Sequence, residues 1–182
     1  GLGQRFVFRG PQGMLRQQRR RRDPAMNIRE FLFRDGTTVL TKNLSSERDN
    51  NLQGVTVGFD PNRQRYVVRV GRRQLALRDD NLQQVVNGVA ILAGKAAGST
   101  GTIVGFSSGS YQVQHDKQTL VLPPEQVVLP DRTRCYVYNL QSQRGSEMNG
   151  RRAIILEHGG DRYTATVHGF GTVRLRYGNA VA

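Results

Sequence analysis

The side chains in this sequence best suited to do chemistry are its arginines. The chain has 182 residues and a formal net charge of +13, and of its 27 basic residues only Lys42, Lys95 and Lys117 are lysines. A guanidinium presents a planar fork that grips a phosphate or carboxylate at two points, and it stacks on bases. Arg16 and the run Arg19, Arg20, Arg21 and Arg22 form one concentration near the N-terminus. Arg63, Arg65, Arg69, Arg72 and Arg73 straddle a predicted hairpin, and Arg151, Arg152, Arg162, Arg174 and Arg176 do the same near the C-terminus. Residues two apart on a strand share a face, so Arg63 with Arg65, and Arg174 with Arg176, are expected to form stripes. The chemistry this implies is nucleic-acid binding, with Arg16, Arg19, Arg20, Arg21, Arg22, Arg63, Arg65, Arg72, Arg73, Arg151, Arg152, Arg174 and Arg176 as candidate contacts. An acidic protein face or an anionic membrane surface would attract the same charge. Each strand arginine also fits the solvent-facing side of a half-buried strand.

Catalytic and metal-binding residues show no comparable pattern. His115, His158 and His168 have no cysteine companions, and the single Cys135 supports neither an internal disulfide framework nor a cysteine-based zinc site. No nucleophile elbow or dinucleotide fingerprint is present. The glycines of GKAAGSTG, residues 94–101, are spaced somewhat like a phosphate loop, but the lysine precedes the second glycine and no helix is predicted to follow. The expectation is a non-enzymatic protein with no metal, no cofactor and no small-molecule substrate. No apolar run approaches the roughly 18 to 20 residues a membrane helix needs, so no transmembrane segment is expected.

The elements that must position the arginines come from internal repetition. NNLQGVTVGFD, RQRYVVRV and LALRDDNL, starting at Asn50, recur in order near the C-terminus as MNGRRAIILEH, DRYTATVHGF and VRLRYGNA. A shorter version lies between them as GSTGTIVGF, GSYQVQH and LVLPPEQV. Gly54, Gly101 and Ala153 align, as do Tyr66, Tyr111 and Tyr163, and also Asn81, Gln126 and Asn179, at intervals of about 50 residues. Gly58-Phe59 recurs as Gly105-Phe106, and Asn43-Leu44 as Asn139-Leu140. Alternating β-branched and aromatic residues in Tyr66–Val70 and Tyr163–Val167 predict strands. Asn50-Asn51 and Asn149-Gly150 occupy equivalent places, which a tight turn with positive φ would explain. The segments Arg78–Asn81 and Pro123–Gln126 each predict one helical turn before a last short strand. The aligned tyrosines, with Phe59 and Phe106, are expected to pack in the cores.

The middle repeat, NGVAILAGKAAGSTGTIVG at residues 87–105, resembles the KOW motif in its alternating apolar residues, Gly94-Lys95, Gly98, and Gly101 followed by Thr102-Ile103-Val104. The resemblance extends over roughly residues 36–182 and is closest over 87–113. It departs at Ala97, where KOW segments usually have a lysine, and at Leu52 and Gln53 in the first repeat. The resemblance implies SH3-like barrels of the kind found in ribosomal proteins and transcription elongation factors.

The expected fold is therefore all-β: three tandem small SH3-like barrels over residues 36–86, 87–130 and 131–182, preceded by an extended basic N-terminal arm over residues 1–35. Domains this small bury little surface alone and gain from packing on one another or on a partner. The arm and the outer repeats hold the excess charge, while the middle repeat balances Lys95 and Lys117 against Asp116 and Glu125. The middle repeat is accordingly expected to be a structural joint or a protein-facing module. Residues 1–34, rich in Arg, Gln and Gly, match both the surroundings of a transit-peptide cleavage site and a basic ribosomal arm. These features imply a structural subunit of a large assembly, an organellar (mitochondrial or plastid) ribosome, in which the arm and outer barrels bind rRNA beside neighbouring proteins. The alternative is an accessory scaffold subunit of a respiratory or photosynthetic complex that binds acidic protein surfaces.

Overall fold

A computed structural model describes residues 28–182; the expected arm contacts Arg16, Arg19, Arg20, Arg21 and Arg22 lie outside the described residues. The chain is all-β, built as three five-stranded antiparallel sheets in sequence order. The first contains β1 (Thr38–Thr41), β2 (Gln53–Asp60), β3 (Arg65–Val70), β4 (Arg73–Leu77) and β5 (Leu82–Gln84). The second contains β6 (Val86–Ile91), β7 (Thr100–Ser107), β8 (Ser110–His115), β9 (Gln118–Leu122) and β10 (Val127–Val128). The third contains β11 (Arg134–Val137), β12 (Arg152–Gly159), β13 (Arg162–Val167), β14 (Gly171–Arg176) and β15 (Ala180–Val181). In each unit four strands form a meander, and a 3-10 turn then brings the fifth strand back beside the first. Among the described residues one α-helix occurs, α1 (Gln143–Ser146), whose first turn is capped by the Ser142 hydroxyl accepting from the Gly145 N–H at 3.1 Å.

The repeated sequence features have repeated physical causes. Asn51 and Gly150 both adopt positive φ, 60° and 74°. The residue before each holds the loop together, because Asn50 Oδ1 accepts from Leu44 N–H at 2.8 Å and Asn149 Oδ1 accepts from Leu140 N–H at 2.9 Å. The Asn81 and Asn179 amides donate to backbone carbonyls at residues 42–43 and 138–139, which fastens each terminal turn to the start of its own unit. A register shift interrupts the second strand of every unit at the same point, after Thr56, Ile103 and Ile155. Such bulges bend a strand and increase its twist, and they let so short a sheet curl around its own core.

The aligned small residues mark where strands approach most closely. A Cβ on Gly54 would lie 2.6 Å from Val68 Cγ1, and one on Gly101 would lie 2.5 Å from Val113 Cγ1. The third unit has Ala153 there and, at the position equivalent to Val68, Ala165; both are fully buried. The volume added on one strand is removed from the next. We therefore expect Gly54→Ala to destabilise the chain by about 1–3 kcal/mol through overpacking. Combining it with Val68→Ala should cost less than the two single changes added together, by about 1 kcal/mol in denaturant titrations. Strict additivity would show that the two sites do not share this space.

Each aligned tyrosine is fully buried, and in the middle and third units its hydroxyl serves a different unit from its ring. Tyr163 OH accepts from Leu129 N–H at 2.8 Å and donates to the Val127 carbonyl at 3.2 Å. Tyr111 OH accepts from Ala182 N–H at 3.0 Å and donates to the Ala180 carbonyl at 3.2 Å. The middle and third units thus exchange tyrosines reciprocally, each satisfying the outward backbone groups of the other's terminal strand. One continuous apolar core runs through both, including Ile91, Ile103, Leu129, Cys135, Ile155 and Leu175. The first unit has its own core of Leu32, Val39, Tyr66, Val68, Leu77 and Leu82. Its tyrosine accepts from Phe33 N–H at 3.3 Å, so the segment before β1 fills the place that a terminal strand fills elsewhere.

Candidate nucleic-acid interface

The arginines separate according to strand register. In the third unit, Tyr163, Ala165 and Val167 face the core, so Arg162, Thr164 and Thr166 face outward. The opposing strand β14 places Arg176 across from Arg162, Arg174 across from Thr164, and Thr172 across from Thr166. Two arginines directly opposite on one face repel each other. Arg162 is 3.6 Å from Asp161, and Glu157 lies across from Thr164 on the neighbouring strand. Arg174 and Arg176 are exposed and have no carboxylate partner among the described residues.

The first unit repeats the arrangement. Arg65 immediately precedes the buried Tyr66, as Arg162 precedes Tyr163, and Arg78 immediately precedes the terminal 3-10 turn, as does Arg176. In the middle unit Ser110 and Pro123 hold these two places. The same structural position therefore carries an arginine pair in both outer units and no charge in the middle one. Arg65 Nη1 donates to the Ala76 carbonyl at 3.0 Å, and Arg69 continues the outward face beyond it. Arg63 is anchored loosely, 3.8 Å from Asp60, with its side chain 76% exposed. Arg72 lies exposed in the β3–β4 turn, and Arg73 pairs with Asp49 at 3.1 Å.

Arg151 and Arg152, adjacent in sequence, have different surroundings. Arg151 is exposed, with its guanidinium 5.8 Å from the centre of the Phe170 ring. Arg152 is turned into the junction between the first and third units, where its Nη2 meets Asp79 Oδ2 at 2.7 Å. Its Nη1 donates to Tyr66 OH at 3.3 Å, and its guanidinium lies over the Tyr136 ring at 5.3 Å. The Tyr136 hydroxyl donates to the same Asp79 oxygen. Unlike the outward-facing arginines, Arg152 has its charge met by Asp79. Nearby, the Arg134 guanidinium is lowered from its ordinary range by burial and then by Arg34, and its Nη2 donates to the Glu30 carbonyl at 2.9 Å. Gln83 closes the same junction by donating to the Ala182 carbonyl at 3.1 Å. Arg152→Ala should cost about 2 kcal/mol, less than a fully buried pair would because both partners keep some solvent contact. Thermal unfolding of Arg152→Ala checks this; an unchanged melting temperature would leave the junction without an energetic role.

Ser99, His115 and Asp116 adjoin one another along an open depression on the middle unit, with Ser99 Oγ and Asp116 Oδ2 at 3.4 Å and 3.3 Å from His115 Nε2. The Ser99 hydroxyl, however, donates to the Ala96 carbonyl. His115 Nδ1 lies 3.0 Å from the Thr100 carbonyl, so this group fastens the hairpin. Among the described residues no cluster of three metal-ligating side chains occurs, and no helix is long and apolar enough to cross a membrane.

No protein-family model matches the chain, and no curated protein matches it either.

Proposed function

We propose that this chain is a non-catalytic structural subunit of a large assembly that binds RNA through its outer units, the assembly being an organellar ribosome and the RNA its rRNA. The observation that supports this reading is the arginine pair that recurs at one structural position in the first and third units and is replaced by Ser110 and Pro123 in the middle one. Guanidinium groups brought side by side at the ends of neighbouring strands suit a polyanion with closely spaced charges. Each unit is a meander closed by a returning fifth strand, and we read these units as the SH3-like barrels that the KOW-type resemblance implies. The neutral middle unit shares its core with the third and braces it. In this reading, the arm with Arg16, Arg19, Arg20, Arg21 and Arg22 adds a second set of phosphate contacts.

Sedimentation of the native assembly with and without ribonuclease tests the proposal. The chain should travel with a large particle and leave it when the RNA is digested. Ribonuclease-resistant association with a membrane complex would overturn the proposal in favour of an accessory scaffold meeting acidic protein surfaces.

A further inference from the structure

We infer that the outward face of β13 and β14 grips the phosphodiester backbone of double-helical RNA and does not read unpaired bases. The inference rests on the RNA-binding reading above and specifies the form of RNA. This face is a ladder of three cross-strand pairs: Arg162 with Arg176, Thr164 with Arg174, and Thr166 with Thr172. It offers guanidinium groups for phosphates, and threonine hydroxyls able to donate to phosphate oxygens or to exchange hydrogen bonds with ribose 2′-hydroxyls. Single-stranded RNA is held differently, by aromatic rings on which successive bases stack.

Neither tyrosine of this hairpin and its terminal turn is available on the ladder face, since both are buried. Tyr163 is fully buried and both hydrogen bonds of its hydroxyl go to the middle unit's terminal strand. Tyr177 packs on Tyr163 at 4.7 Å between ring centres and donates to the Gly160 carbonyl at 2.9 Å. Phe170 is exposed, but it lies in the β13–β14 turn beyond the ladder and has Arg151 over its ring. What faces outward reads shape and charge, as proteins do on an A-form helix, where bases are stacked inside and phosphates and 2′-hydroxyls are presented. Glu157, across from Thr164, sets one limit to the face, since its carboxylate would repel a phosphate placed over that strand.

The test uses the full chain, a short RNA duplex, a second duplex of scrambled sequence and each separated strand, over a range of salt. The duplexes should bind equally well and more tightly than the strands. Substituting Arg162→Gln, Arg174→Gln and Arg176→Gln together should lower the slope of log affinity against log salt on duplex by about 2 to 3 units. The corresponding lysine variant, which keeps the charge, should restore most of the slope and controls for folding. Tighter binding to one separated strand with a base preference would overturn the duplex inference, as would an unchanged slope in the glutamine variant. Failure of the unaltered chain to bind any of the RNAs would instead remove the RNA reading itself.

Discussion

Tyr163→Phe and Tyr111→Phe should each destabilise the chain by about 2–3 kcal/mol, far beyond the effect of removing an ordinary tyrosine hydroxyl. Each hydroxyl satisfies two backbone groups in the shared core, an N–H and a carbonyl of the facing terminal strand. Removing it leaves both without their partner, and a buried unsatisfied polar group costs about 1–3 kcal/mol. Tyr66→Phe should cost only about 1 kcal/mol, since that hydroxyl has two longer bonds and one of them comes from a side chain that Asp79 also holds. Denaturant titration of the three variants checks the order; equal effects would mean that the reciprocal exchange contributes nothing special.

The same burial sets how stability responds to alkali. Desolvation raises the Tyr111 and Tyr163 phenols above their ordinary value of 10.0. It also pushes the Cys135 thiol from 9.0 up to about 12. The folded state therefore keeps protons that the unfolded chain releases. This contribution is fully present below the unfolded values and is lost as pH rises above about 9 and then 10, by up to about 1.4 kcal/mol per pH unit for each group. Replacing either tyrosine with phenylalanine should make the alkaline decline shallower as well as lowering stability at neutral pH.

The largest effect on binding should come from the arm. Replacing Arg19, Arg20, Arg21 and Arg22 with alanine should flatten the salt dependence of RNA affinity by roughly 3 to 4 units, because each phosphate contact contributes about 0.9 to the slope. At low salt this amounts to roughly three decades of affinity or more. Like charges this dense repel one another, and a polyanion relieves that repulsion. Titration of RNA binding at several salt concentrations measures the change, and an unaltered slope would take the arm out of the interface.

The repeat architecture was legible because at least two of the three units solve each local problem with the same residue type. A glycine where two strands touch, an asparagine at a loop that needs a side-chain brace, and a tyrosine facing inward all leave recurring marks. The sequence could align Tyr111 with Tyr163 but could not say that their hydroxyls cross between units. A tyrosine satisfied within its own unit would leave the same pattern. Nor could it separate Arg151 from Arg152. That difference depends on the β12 register and on Asp79, which lies in another unit and is brought close only by tertiary packing. Conversely, the alignment of Asn81 with Asn179 already sets Arg78 against Arg176, and both directly precede the terminal 3-10 turn. Alternation on β14 was enough to place Arg174 and Arg176 on one face, whereas Arg63 and Arg65 straddle the start of β3 and do not form so regular a stripe.

Chemical cross-linking of RNA to protein in the native particle, with the linked peptides mapped, addresses the account most directly. Linked nucleotides should fall on the peptides that carry Arg65, Arg78, Arg162, Arg174 and Arg176, and the middle unit around Lys117 should be bare. Cross-links concentrated on the middle unit, or links from those arginine peptides to acidic protein segments alone, would contradict it.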